Sequence, residues 1–230
     1  MVVLQLITLS VVTVVTGILL VRLQTSHVRG VAVERRNILA SVRDVLERPQ
    51  LAQCGIDYPV LTGEYRGAPV TVSVIVDTVA LRHLPTLWLS VSRRQPLPLT
   101  GPVDILLRPS VTDIVSPGER FPVEHPVPPT WPAFIRVATP PGGGGPDFSA
   151  LSAALPLLHD KRTKDVLLAP AGARVVVELA RAELGHYRLF KRSKFNVALS
   201  VGQLTAVLDA LCAMTEGIQS TAVREQSPHR

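Results

Sequence analysis

The chain has 230 residues, enough for one ordinary domain with an anchor and a tail. Its hydrophobic fraction of 47% and charged fraction of 18% exclude a disordered chain. The net charge of +6 is almost all arginine, since the only lysines are Lys161, Lys164, Lys191 and Lys194.

Arginine alongside abundant alanine and valine reflects a GC-rich genome more readily than selection for phosphate binding. Two distant cysteines, Cys54 and Cys212, make neither a disulfide framework nor a metal knuckle. In a reducing cytoplasm both read as small buried apolar residues.

Val2 to Leu23 carries no charge before Arg22. About 20 helical residues rise about 30 Å, which matches the hydrocarbon core of a bilayer. Fourteen residues from Val2 to Val21 are Val, Leu or Ile. At helix-centre values they favour insertion by about 4 to 8 kcal/mol, an upper limit that Gln5 and the hydroxyl residues erode. No basic residue precedes the run and no small-residue cleavage site follows it, so it reads as an anchor and not as a removable leader. Arg22, Arg29, Arg35, Arg36, Arg43 and Arg48 follow it, which places the C-terminal side in the cytoplasm and the short N-terminus outside. Ser10, Thr13 and Gly17 fall on one side of this helix, and Thr13-x-x-x-Gly17 is a spacing that lets two helices approach closely. These three residues are candidates for contact with a partner helix. Arg22 and Arg29 are candidates for contact with anionic headgroups.

Helical periodicity continues from Leu23 to Glu47, with Val28, Val31, Ile38, Leu39, Val42, Val45 and Leu46 on one face. Pro49 is expected to end this helix, and Gly30 to mark a break in it. Tyr58 to Tyr65 and Pro69 to Val76 read as strands joined by an Arg66-Gly67 turn. Leu87 to Ser92 and Val103 to Leu107 are two further strands. Thirteen of the twenty prolines lie between Gln95 and Pro146, so edge strands, extended segments and turns are expected there, with Phe134 to Val137 a short strand.

Beyond the glycine run 142–145, Asp147 is a plausible N-cap for a helix running toward Leu158, ended near Pro156. Strands are expected at Asp165 to Leu168, Arg174 to Leu179 and His186 to Phe190. Ser200 opens a final helix with Leu204, Val207, Leu208, Leu211 and Cys212 on one face and Gly217 as its C-cap. The division is therefore an anchor over 1–23, a juxtamembrane helix over 24–49, an α+β domain over 50–219 with a proline-rich part at 95–146, and a flexible tail over 220–230. The fold class is α+β: one N-terminal transmembrane helix, then one mixed or mainly antiparallel sheet domain with a C-terminal helix.

No nucleophile elbow, Walker loop, zinc-protease helix or paired-cysteine motif occurs, and no cofactor is implied. Asp77, Arg82 and His83 lie close along the chain and form a candidate site at a strand end, against the simpler reading of a polar loop. Ser152, His159 and Asp160 fail as a triad because nothing orients the serine. Arg188, Lys191, Arg192 and Lys194, flanked by Phe190 and Phe195, form the densest basic cluster. A solvated hairpin explains them most simply, anionic lipid next and single-stranded nucleic acid least. Trp131 lies among prolines, where it either caps the core or projects as an aromatic anchor for a partner.

These features point to a non-catalytic accessory or scaffold subunit of a bacterial inner-membrane assembly, with another integral membrane protein as partner. The alternatives are a tethered enzyme acting near Asp77 and His83, or a lipid- or ligand-sensing domain.

Overall fold

Strict alternation across Pro69 to Val76 demands a partner strand, and the chain supplies one by folding back at Arg66-Gly67. Both turn residues have left-handed backbones, with φ of 49° and 72°, the conformation of a two-residue hairpin turn whose twist matches its strands. The computed structural model of the chain describes residues 2–77, 85–110, 113–142, 146–182, 195 and 197–225, with side chains from 15 to 221 apart from 119.

The elements run α1 (Val2–Ala40), a 3-10 turn (Arg43–Val45), β1 (Glu47–Ala52), β2 (Val60–Tyr65), β3 (Ala68–Asp77), β4 (Thr86–Arg93) and β5 (Val103–Leu107). Then come β6 (Val123–His125), β7 (Ile135–Thr139), α2 (Phe148–Leu151), α3 (Leu155–His159), β8 (Thr163–Ala169), β9 (Gly172–Arg181) and α4 (Val201–Glu225).

The nine strands form one sheet in the order β1-β2-β3-β4-β9-β8-β5-β7-β6. Every pairing is antiparallel, where a mixed or mainly antiparallel sheet was expected. The β8–β9 hairpin inserts between β4 and β5, joining segments far apart in sequence.

The helices pack on one face. There Leu61, Val72, Leu89, Val91, Ile105, Val166, Leu168 and Val175 meet Leu204, Leu208, Leu211 and Ile218 of α4, all at most 1% exposed. Alternate residues reach the opposite face, where Trp88, Leu106, Val115 and Val176 form a second, smaller apolar cluster.

The far end of α1 is gripped by the domain. Ile38, Leu39 and Val42 are buried at 6%, 0% and 1% exposure, whereas Val28, expected on the same face, is 37% exposed. Gln53 Nε2 donates to the Ala32 carbonyl at 2.9 Å, and the Arg35 guanidinium lies 4.6 Å from the centre of the Tyr58 ring. Arg35 also donates to the Ile56 carbonyl. The loop between β1 and β2 thus holds α1 from Ala32 onward. Gly30 does not interrupt the helix.

Several local expectations are corrected. Residues to Glu47 do not all continue the helix; α1 stops at Ala40 and Glu47–Ala52 becomes an edge strand. Pro49 sits in it because the register shifts between Glu47 and Gln50, and an edge strand with a bulge tolerates a missing N–H. The segment after Asp147 is not one helix. It passes through a 3-10 turn at Ser152–Ala154, and Pro156 lies in the first turn of α3, where no backbone donor is needed. Asp147 caps as expected, accepting from Ser149 N at 2.9 Å.

At Ser200 the cap is reciprocal. Ser200 Oγ accepts from Gln203 N at 3.2 Å and Gln203 Oε1 accepts from Ser200 N at 3.0 Å. Gly217 is not a C-cap, since α4 continues to Glu225. A Cβ at 217 would stand 2.7 Å from Ala153 Cβ, so the glycine serves a close helix approach. Cys54 is exposed and only Cys212 is buried. The expected strand over 186–190 lies outside the described residues.

Candidate functional site

Around Gly17 nothing lies within 4 Å of where a side chain would begin, so that face of α1 is open. Arg22 and Arg29 are exposed on the same helix. Ser10 and Thr13 lie outside the residues whose side chains are described, and Arg188, Lys191, Arg192 and Lys194 lie outside the described residues. Among the described residues no helix is long and apolar enough to cross a membrane. The apolar run read from the sequence starts at Val2, before the first described side chain at Val15.

Trp131 takes the core-capping place of its two expected ones. It is 8% exposed and meets Phe148 edge-on, with ring centres 5.3 Å apart. The exposed aromatic nearby is Phe134, 81% exposed with a left-handed φ of 61°. Asp77 ends β3 opposite Thr86, while Arg82 and His83 lie outside the described residues.

An open depression of about 410 Å³ lies between the end of α1, β2 and the start of α4, lined by Ser41, Asp44, Val45, Tyr65, Val201 and Thr205. Its size suits a small ligand, but its chemistry is poor. Burial and the Asp209 carboxylate, which accepts from Tyr65 Oη at 2.7 Å, push the Tyr65 phenol upward, away from use as a proton donor near neutral pH. Ser41 Oγ donates to the Leu199 carbonyl at 3.3 Å. Among the described residues no group of three or more His, Cys, Asp and Glu is placed to hold a metal ion.

The densest buried chemistry lies on the face of the sheet away from the helices, and motif reading did not find it. Asp104 on β5 and Asp165 on β8 are both 0% exposed. Asp104 pairs in register with Leu167, and Leu106 with Asp165, which makes the two aspartates diagonal neighbours on one face. Ser116 Oγ donates to Asp104 Oδ2 at 2.6 Å. Arg174 Nη2, from β9, donates to Asp165 Oδ2 at 2.9 Å and to the Val115 carbonyl at 2.6 Å. Arg136 on β7 lies 3.8 Å from Asp104 Oδ2 and pairs with Glu124 of β6 at 2.7 Å.

A bulge in β8 between Thr163 and Asp165 sets Lys164 out of the ladder. There it bonds Asp113 at 2.6 Å and the carbonyls of Leu107 and Arg108 at 3.2 and 2.8 Å. The hint in the sequence is an aspartate within or beside the apolar run of each of two strands, VDILL and DVLL.

Comparison with protein-family models, with curated proteins and with solved structures finds no match for this chain.

Proposed function

We propose that this chain is a membrane-anchored, non-catalytic accessory or scaffold subunit of a bacterial inner-membrane assembly, with its α+β domain on the cytoplasmic side. The observation that carries this reading is the contrast between the two ends of α1. At one end the helix is locked into the domain core by Ile38, Leu39 and Val42. At the other, Val15, Ile18, Leu19, Leu20, Val21 and Leu23 are each 54% to 63% exposed. At 100° per residue these six spread around the helix, and exposed apolar side chains on several sides favour an apolar surrounding. The charge-free run back to Val2 and the arginines from Arg22 onward fit a bilayer with the domain inside. The region between Leu23 and Ala32 then acts as a short rigid spacer of about 14 Å.

Two expected results test this. The full chain should pellet with membranes and resist alkaline carbonate, and removal of residues 2–21 should release a folded domain to the soluble fraction. A reporter fused after Arg230 should be active in the cytoplasm and silent outside. Recovery of the intact chain in the soluble fraction would end the anchor reading.

A scaffold also needs a partner. Gly17→Leu keeps or raises hydrophobicity but holds a facing helix apart, so co-purification of a membrane partner should fall partially. Interhelical contacts of this kind contribute on the order of 1 kcal/mol. Leu9→Ile should leave it unchanged. Equal recovery from both variants would reduce α1 to a tether.

A further inference from the structure

We propose that Asp104 and Asp165 form a single-proton pair that latches residues 113–118 over Trp88, Leu106 and Val176, and that loss of this proton releases the cover. The inference stands independently of how the chain is anchored. Its basis is a count of hydrogens. The two carboxyls are diagonal neighbours on one face of adjacent strands, and both are fully buried. Each Oδ2 already accepts a bond, from Ser116 and from Arg174, and each Oδ1 is buried with no other partner. Two carboxylates cannot bond one another without a proton, and like charges in contact away from water repel strongly. One proton between them satisfies both orphaned oxygens.

The charged groups facing the pair can be named from each neighbouring strand. Arg174 comes from β9, Arg136 from β7, Glu124 from β6, and the Lys164–Asp113 ion pair links β8 to the cover. Arg174 is committed to Asp165 and to the Val115 carbonyl, and Arg136 is shared with Glu124. Neither Oδ1 accepts a bond from a guanidinium, and Arg174 Nε is itself buried without a partner.

The pair also holds the cover directly. Ser116 hangs from Asp104, and Val115 is tied through Arg174 to Asp165. Val115 is itself 5% exposed and packs in the cluster with Trp88, Leu106 and Val176. Separation of the carboxylates therefore pulls on both attachments at once and uncovers an apolar patch.

Burial, with the Asp104 carboxyl adding to it, raises the Asp165 carboxyl well above the ordinary carboxylate range. The sign follows from linkage. A group whose folded value is raised contributes stability that is full below its unfolded value and is lost as pH rises through the folded value. The cover is thus closed in acid and loosens toward alkali.

The test is amide hydrogen exchange of residues 113–118 in the full chain, normalised for intrinsic rates, from about pH 5 to about pH 9. Wild-type protection is expected to be constant at low pH and to fall by up to about tenfold per pH unit above the transition. Trp88 emission should shift to longer wavelength in step. Protection of Val70 and Val72, on β3 in the main core, should hold, which separates release of the cover from global unfolding.

Asp165→Asn supplies a permanent donor to Asp104 while keeping an acceptor for Arg174, so its profile should be flat. Asp104→Asn makes the mirror-image pair and serves if the first variant fails to fold. A flat wild-type profile, or a wild-type slope retained in a folded Asn variant, would overturn the proposal.

Discussion

Gly172→Ala is expected to cost about 3–5 kcal/mol of folding stability, a large share of the 5–15 kcal/mol typical of a domain. Gly172 opens β9 directly after the turn from β8, with φ of 149°. A Cβ there would lie 2.2 Å from the Arg93 carbonyl oxygen and 3.1 Å from Arg94 Cα. Both obstacles are backbone, so no side-chain rotation relieves the clash. Forcing atoms into a packed site costs about 1–3 kcal/mol and a sparsely populated backbone conformation about as much again.

Gly67→Ala separates these contributions. Gly67 has a left-handed φ of 72° but nothing within 4 Å of its absent Cβ, so that change should cost only about 1 kcal/mol. Urea unfolding with an unchanged slope would measure both. Equal losses at the two positions would show that the close approach of the β8–β9 hairpin to the end of β4 does not matter.

Leu39→Ala is expected to cost about 2–5 kcal/mol, because Leu39 is fully buried where α1 enters the domain and truncation leaves a cavity. Val33→Ala, at a position 57% exposed, should change stability by less than about 0.5 kcal/mol. The first substitution should also loosen the grip on the helix. The Gln53 bond to the Ala32 carbonyl and the Arg35 stack on Tyr58 hold only while the last turns of α1 stay seated. Amide protection from Ala32 to Ala40 should therefore fall in Leu39→Ala and persist in Val33→Ala. Retained protection in the destabilised variant would mean that the loop at 53–58 holds the helix without the core.

Much of the architecture was legible because local periodicity carries it. The hairpin of β2 and β3, strands β4 and β5, the caps at Asp147 and Ser200 and the apolar face of α4 each rest on residues close in sequence. Side-chain alternation, a two-residue turn or a reciprocal cap is complete within a few positions. The misreadings share the opposite cause. Pro49 and Pro156 stop helices in isolation, yet one is tolerated by a bulged sheet edge and the other by a helix start. Gly217 looks like a terminus until Ala153 is seen against it.

The sequence by itself determined a long N-terminal helix followed by an α+β domain with a C-terminal helix. Only the tertiary structure decided that β9 and β8 slide between β4 and β5, because strand order depends on contacts between segments far apart in the chain. That insertion brings Asp165 to Asp104 and Arg174 to Asp165. Two aspartates in separate apolar strands carry no signal of their own, and their chemistry exists only once the sheet has removed both from water and set them side by side.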